Sequence, residues 1–106
     1  MKITRVLIFL LPNEPKLKAF ASLIIDEQFV VHEIRIIQGR EHLFLMLPYR
    51  MKKNGESKAL VDPLTNEARR MIEEAILVAY TDAISLDPPV SGFWERRFDD
   101  QVDVPR

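Results

Sequence analysis

Four cations fall within nine residues at Arg50, Lys52, Lys53 and Lys58, with Tyr49 at one end and a single acid, Glu56, among them. Lysine and arginine neutralise phosphates and an aromatic ring stacks on an unpaired base, so this grouping has the chemistry of a nucleic-acid contact. The same residues also suit a solvated hairpin whose lysines keep a strand edge from aggregating. Composition alone leaves these two readings level.

Other chemistry is sparse. The chain has two histidines, His32 and His42, and no cysteine, so a metal site would need carboxylates at no recognisable ligand spacing. His32 stands among Val30, Val31 and Ile34 and reads as a half-buried histidine hydrogen-bonded within a sheet. Ser22, Ser57, Ser85 and Ser91 lack a nucleophile-elbow context, and no glycine-rich loop follows a strand. The carboxylate pairs Asp26-Glu27 and Glu73-Glu74 fall on a turn and on a helix face, where water solvates them. No catalytic residue, metal or cofactor is therefore expected.

The elements that must position the basic group are mostly strands. Ile3 to Leu11 is an apolar, β-branched run that stops at Pro12-Asn13-Glu14-Pro15. Leu17 to Ile25 and Phe29 to Ile37, joined by Asp26-Glu27-Gln28, have the spacing of an antiparallel hairpin. Strict alternation in the third strand would put Val30, His32, Ile34 and Ile36 on one face, the better core candidate, and Phe29, Val31, Glu33, Arg35 and Ile37 on the other. A turn at Gln38 to Glu41, with Gly39 free to take positive φ, leads to a strand from Leu43 to Leu47 ended by Pro48. Asn54-Gly55 is the strongest hairpin signal in the chain, and it would reverse Tyr49–Lys53 into Glu56–Val61.

After Asp62-Pro63 the period changes from two to 3.6. Ala68, Met71, Ile72, Ala75, Ile76, Ala79, Tyr80 and Ala83 mark one apolar helical face, with Thr65 or Asn66 as N-cap. Leu77 and Val78 widen that stripe, as a second packing partner would require. From Asp87 the chain becomes acidic and proline-containing, interrupted by Phe93-Trp94-Glu95-Arg96-Arg97-Phe98, which reads either as a helical turn docked on the domain or as a short recognition segment. The expected organisation is one domain over residues 1–86 with a tail over 87–106.

A length of 106 residues fits a single domain, and 47% hydrophobic against 29% charged residues describes a folded chain. Absence of cysteine suits a reducing compartment, and the apolar run Val6 to Leu11 is too short to span a membrane. A cytoplasmic protein with no membrane partner is expected. The net charge of -1 conceals an asymmetry: residues 1–63 hold ten basic and seven acidic groups, a net of +3, which leaves -4 for the remainder. A polyanion partner is thus compatible with near-neutrality.

The segment from Ala19 to Gly39, AFASLIIDEQFVVHEIRIIQG, closely resembles the stage V sporulation protein G (SpoVG) family of septation regulators. Leu43-Phe44, Met46, Pro48, the basic run before Asn54-Gly55-Glu56, Asp62-Pro63 and a helix beginning near Asn66 extend the likeness over about residues 1–84. The resemblance implies an α+β fold: a twisted antiparallel β-sheet followed by a C-terminal α-helix, with a strand-mediated homodimer. It also implies a non-enzymatic regulator that binds DNA and/or RNA and influences septation, sporulation and gene expression, its contacts lying at Arg50 and its neighbours. The Ser-Lys-Arg-Thr-Pro common to the family after the strand's proline is replaced by Tyr49-Arg50-Met51-Lys52-Lys53, which keeps charge but moves it.

The leading expectation is a nucleic-acid-binding regulator in which Arg50, Lys52, Lys53 and Lys58 hold phosphates and Tyr49 stacks. The alternative is a protein-interaction module of the division machinery, acting through a sheet edge or through Phe93, Trp94 and Phe98.

Overall fold

The computed structural model describes residues 1–86, 90 and 92–98; the expected acidic ending from Asp99 and the Asp87-Pro88-Pro89 stretch lie outside them. Strands β1 (Ile3–Leu10), β2 (Leu17–Ile25), β3 (Phe29–Gln38) and β4 (Leu43–Met46) form an antiparallel meander. A small hairpin follows, β5 (Tyr49–Met51) and β6 (Ser57–Ala59), and then helix α1 (Asn66–Ile84). Strand β7 (Phe93–Arg97) returns to pair with β1, giving a five-stranded sheet of order β4-β3-β2-β1-β7. The fold is α+β, with an antiparallel sheet followed by one helix, and β7 is its addition after that helix.

One face of the sheet carries the core. Val6 and Ile8 of β1, Ala19, Ala21 and Leu23 of β2, and Ile34 and Ile36 of β3 are buried against Ile72, Ala75, Ile76, Ala79, Tyr80 and Ala83 of α1. Each fully buried isoleucine or leucine contributes roughly 1.5–3 kcal/mol. Alanines on both layers let helix and sheet approach closely, as native packing density requires. Thr65 caps the helix: its Oγ1 accepts from the Ala68 amide at 3.0 Å, and Glu67 in the first turn suits the positive end of the dipole.

Strict alternation fails in β3. Ala21 pairs with Ile34 but Leu23 pairs with Val31, so β3 holds one residue more than β2 between those pairs. Glu33 is the extra residue and adopts φ 60°, the left-handed conformation of a bulge. The bulge flips the faces on its N-terminal side: Val31 packs on the core, whereas Val30 and His32 are exposed. His32 keeps a partner inside the sheet, with Nδ1 3.0 Å from Ser22 Oγ, but on the face away from α1.

Other local expectations change as well. Asp26 and Glu27 both take positive φ, 53° and 55°, and the Gln28 amide donates to the Ile25 carbonyl at 2.9 Å, the signature of a type I′ turn. Glu27 is anchored there because it accepts the Thr4 hydroxyl at 2.6 Å and the Arg5 Nε–H at 3.0 Å. Gly39 is not in the positive-φ region; a Cβ at this position would lie 2.8 Å from the His42 carbonyl oxygen, so glycine serves a close approach.

The aromatic segment near the C-terminus is docked on the domain as a strand and not as a helical turn. Its residues alternate, Trp94 and Phe98 packing against the core while Phe93 and Glu95 face out, and it occupies the otherwise unpaired edge of β1. Arg96 pairs with Asp82 of α1 and Arg5 pairs with Glu95, fixing β7 at two points.

Candidate nucleic-acid interface

The basic residues stand on a hairpin in which every residue from 49 to 60 is exposed. Its strands are shorter than the Tyr49–Lys53 and Glu56–Val61 expected from sequence, because the turn takes more of the chain. The Gly55 amide donates to the Lys52 carbonyl at 3.0 Å and the Lys52 amide to the Glu56 carbonyl at 2.7 Å. With Gly55 at φ 91°, Lys53-Asn54-Gly55 is a three-residue loop ending in a glycine bulge, and Lys53 sits at its tip.

Register sorts the hairpin's side chains onto two faces. Arg50 pairs directly with Lys58, so two like charges stand opposite each other, with Lys52 two residues further along the same face. Directly opposed like charges are destabilising in a sheet unless something neutralises them. Glu56 is turned onto Asn54, whose Nδ2–H donates to it at 2.6 Å. Among the described residues none of Arg50, Lys52, Lys53 and Lys58 is in an ion pair.

The opposite face of the hairpin holds Tyr49 and Met51. The Tyr49 ring lies over the Arg35 guanidinium, 5.4 Å from centroid to Cζ, and Arg35 is also 5.9 Å from the Phe20 centroid. Tyr49 is thus not on the side of Arg50 and Lys58, and it links the hairpin to the sheet face away from α1. Arg35 was missed as a site residue in the sequence. Its alternation with Ile34 and Ile36 was the available signal that it points away from the core.

Elsewhere the chemistry is quiet. His32 and His42 are exposed on different elements, and no group of three or more His, Cys, Asp or Glu side chains among the described residues could hold a metal ion. No helix among the described residues is long and apolar enough to cross a membrane.

A small antiparallel sheet backed by one helix, with a projecting basic hairpin, defines an α+β domain with a charged arm. Residues 1–82 match the SpoVG family model, and the chain belongs to the SpoVG family. Relatives named "Putative septation protein SpoVG" include one from Clostridium beijerinckii, 42% identical over 85 residues that cover 80% of this chain and 93% of that protein. One from Macrococcus caseolyticus is 34% identical over 83% of this chain and 76% of its own, and one from Bdellovibrio bacteriovorus 41% identical over 76% and 73%. Strand β7 lies beyond the residues that the family model matches.

Proposed function

We propose that this protein is a non-enzymatic nucleic-acid-binding regulator of septation and gene expression, gripping DNA and/or RNA phosphates through Arg50, Lys52, Lys53 and Lys58. The observation that carries the reading is the Arg50–Lys58 cross-strand pair on a fully exposed hairpin. Two cations placed opposite one another without an acid cost stability alone and become favourable beside a polyanion. Membership in a family whose relatives are named for septation supports the regulatory half.

The binding unit is a homodimer. Strand β7 covers one edge of the sheet while β4 pairs with no further strand among the described residues, and Met51, Leu60 and Leu64 are exposed, where a second copy would cover them. Two copies bring eight cations, enough for up to about eight phosphate contacts. Crosslinking in cells followed by sequencing of the bound nucleic acid tests the proposal. The wild-type protein should recover defined DNA or RNA fragments and the R50A/K52A/K53A protein should not; equal recovery by a folded triple variant contradicts it.

A further inference from the structure

No helix among the described residues covers the face of the sheet turned away from α1, and the register aligns five side chains across it. Phe93 of β7 pairs with Phe9 of β1, Phe9 with Phe20 of β2, Phe20 with Arg35 of β3, and Arg35 with Met46 of β4. Directly opposed residues in antiparallel strands share a face. This row therefore crosses every strand of the sheet, about 19 Å from end to end at the usual strand spacing. Phe9 and Phe93 meet edge to face at 5.3 Å, with 39% and 70% of their surfaces exposed. Phe44, 42% exposed, belongs to the same face through its pairing with Ile37.

Charge decides what could cover such a row. Arg35 has no acidic partner among the described residues; its guanidinium is in cation–π contact with both the Phe20 and the Tyr49 ring. Glu95, the acid of β7 on this face, is held by Arg5 at 3.2 Å. Packing a second copy face to face would desolvate Arg35 without supplying it a counter-ion. A single-stranded nucleic acid supplies flat apolar bases for the rings and phosphates for the guanidinium. The Tyr49–Arg35 contact sets the basic hairpin at the margin of the row.

We infer that the Phe9–Phe20–Arg35 row is a stacking platform for two or three unpaired bases of a single strand whose phosphates reach the β5–β6 hairpin. This rests on the nucleic-acid reading above and adds to it a preference for unpaired over duplex segments, since duplex bases present no free ring faces.

The test is fluorescence polarisation with labelled oligothymidylate and with a mixed-sequence duplex of equal length, using the full chain. In the F9L/F20L protein, which keeps apolar bulk but loses two ring faces, affinity for oligothymidylate should fall about ten-fold per ring, and duplex affinity should hold. The R50A/K52A/K53A protein should lose both. If F9L/F20L binds oligothymidylate like wild type while the hairpin variant does not, the platform is overturned and the hairpin reading stands. If F9L/F20L elutes as a monomer where wild type elutes as a dimer, the face is a subunit interface and the platform is again overturned. Should F9L/F20L fail to fold, ultraviolet crosslinking of wild type to oligothymidylate decides. Adducts on the peptides bearing Phe9 or Phe20 support the platform, and adducts confined to residues 49–58 overturn it. Wild-type protein that binds neither probe removes both readings.

Discussion

The Arg35 guanidinium and the Tyr49 ring, 5.4 Å apart, form a contact between the inner strand β3 and the projecting hairpin. A cation–π contact at a partly exposed site is worth about 0.5–1 kcal/mol, enough to bias the hairpin toward one position on the sheet without fixing it rigidly. In the Arg35→Met protein, which keeps an unbranched stem, hydrogen exchange at the hairpin amides should accelerate several-fold, while Ile34 and Ile36 keep their protection. Unchanged exchange at Lys52 and Gly55 would mean that the backbone alone orients the hairpin.

Glu33 occupies the left-handed bulge position of β3 at φ 60°, which costs a non-glycine residue about 1 kcal/mol. Glu33→Gly should raise stability by about that amount, and the β-branched Glu33→Val should lower it by more. Urea denaturation with an unchanged slope is the check.

The Thr4 hydroxyl, and then Arg5, hold the Glu27 carboxyl below the ordinary glutamate value of 4.5. A carboxylate whose folded pKa is depressed binds protons less readily folded than unfolded, so its contribution is present above pH 4.5 and is lost as pH falls through the lower folded value. The acid limb of a melting-temperature profile should therefore be shallower for Glu27→Gln than for wild type. Equal slopes below pH 4.5 would show that the turn anchor carries no linkage.

Ending the chain after Leu86 removes β7, and with it the packing of Trp94 and Phe98, the Arg96–Asp82 pair and the cover on β1. Stability should fall by about 2 kcal/mol or more, and the exposed β1 edge should promote self-association at high concentration. Duplex binding should survive, because the hairpin is untouched. Calorimetry, light scattering and a duplex titration read these three outcomes, and loss of duplex binding by the folded truncated protein would place the site elsewhere.

Much of this architecture was legible in the sequence because hydrophobic period is a strong signal. The runs Ile3–Leu11 and Leu17–Ile25 became β1 and β2, and the 3.6-residue spacing from Ala68 to Ala83 became the buried stripe of α1. The basic hairpin was legible too, since Asn54-Gly55 marks its turn, although the turn is one residue longer than that dipeptide implies. The Glu33 bulge was not legible: nothing about glutamate announces a left-handed conformation, and one inserted residue exchanged the faces of Val31 and His32. Strand β7 was also obscured, because Phe93-Trp94-Glu95-Arg96-Arg97-Phe98 turns a half-buried arginine to the same side as Trp94 and Phe98, and its partner Asp82 is distant in sequence. The role of Arg35 depends on two rings from other elements, Phe20 and Tyr49, and local pattern shows only that its side chain faces away from the core.

The salt dependence of nucleic-acid binding by wild-type and R50A/K52A/K53A proteins tests phosphate gripping by the hairpin most directly. For a dimer, removing three cations per subunit should cut the slope of log affinity against log salt by about 5, together with a large loss of affinity at low salt. A folded triple variant whose slope and affinity match those of wild type would contradict the assignment of this hairpin as the binding site.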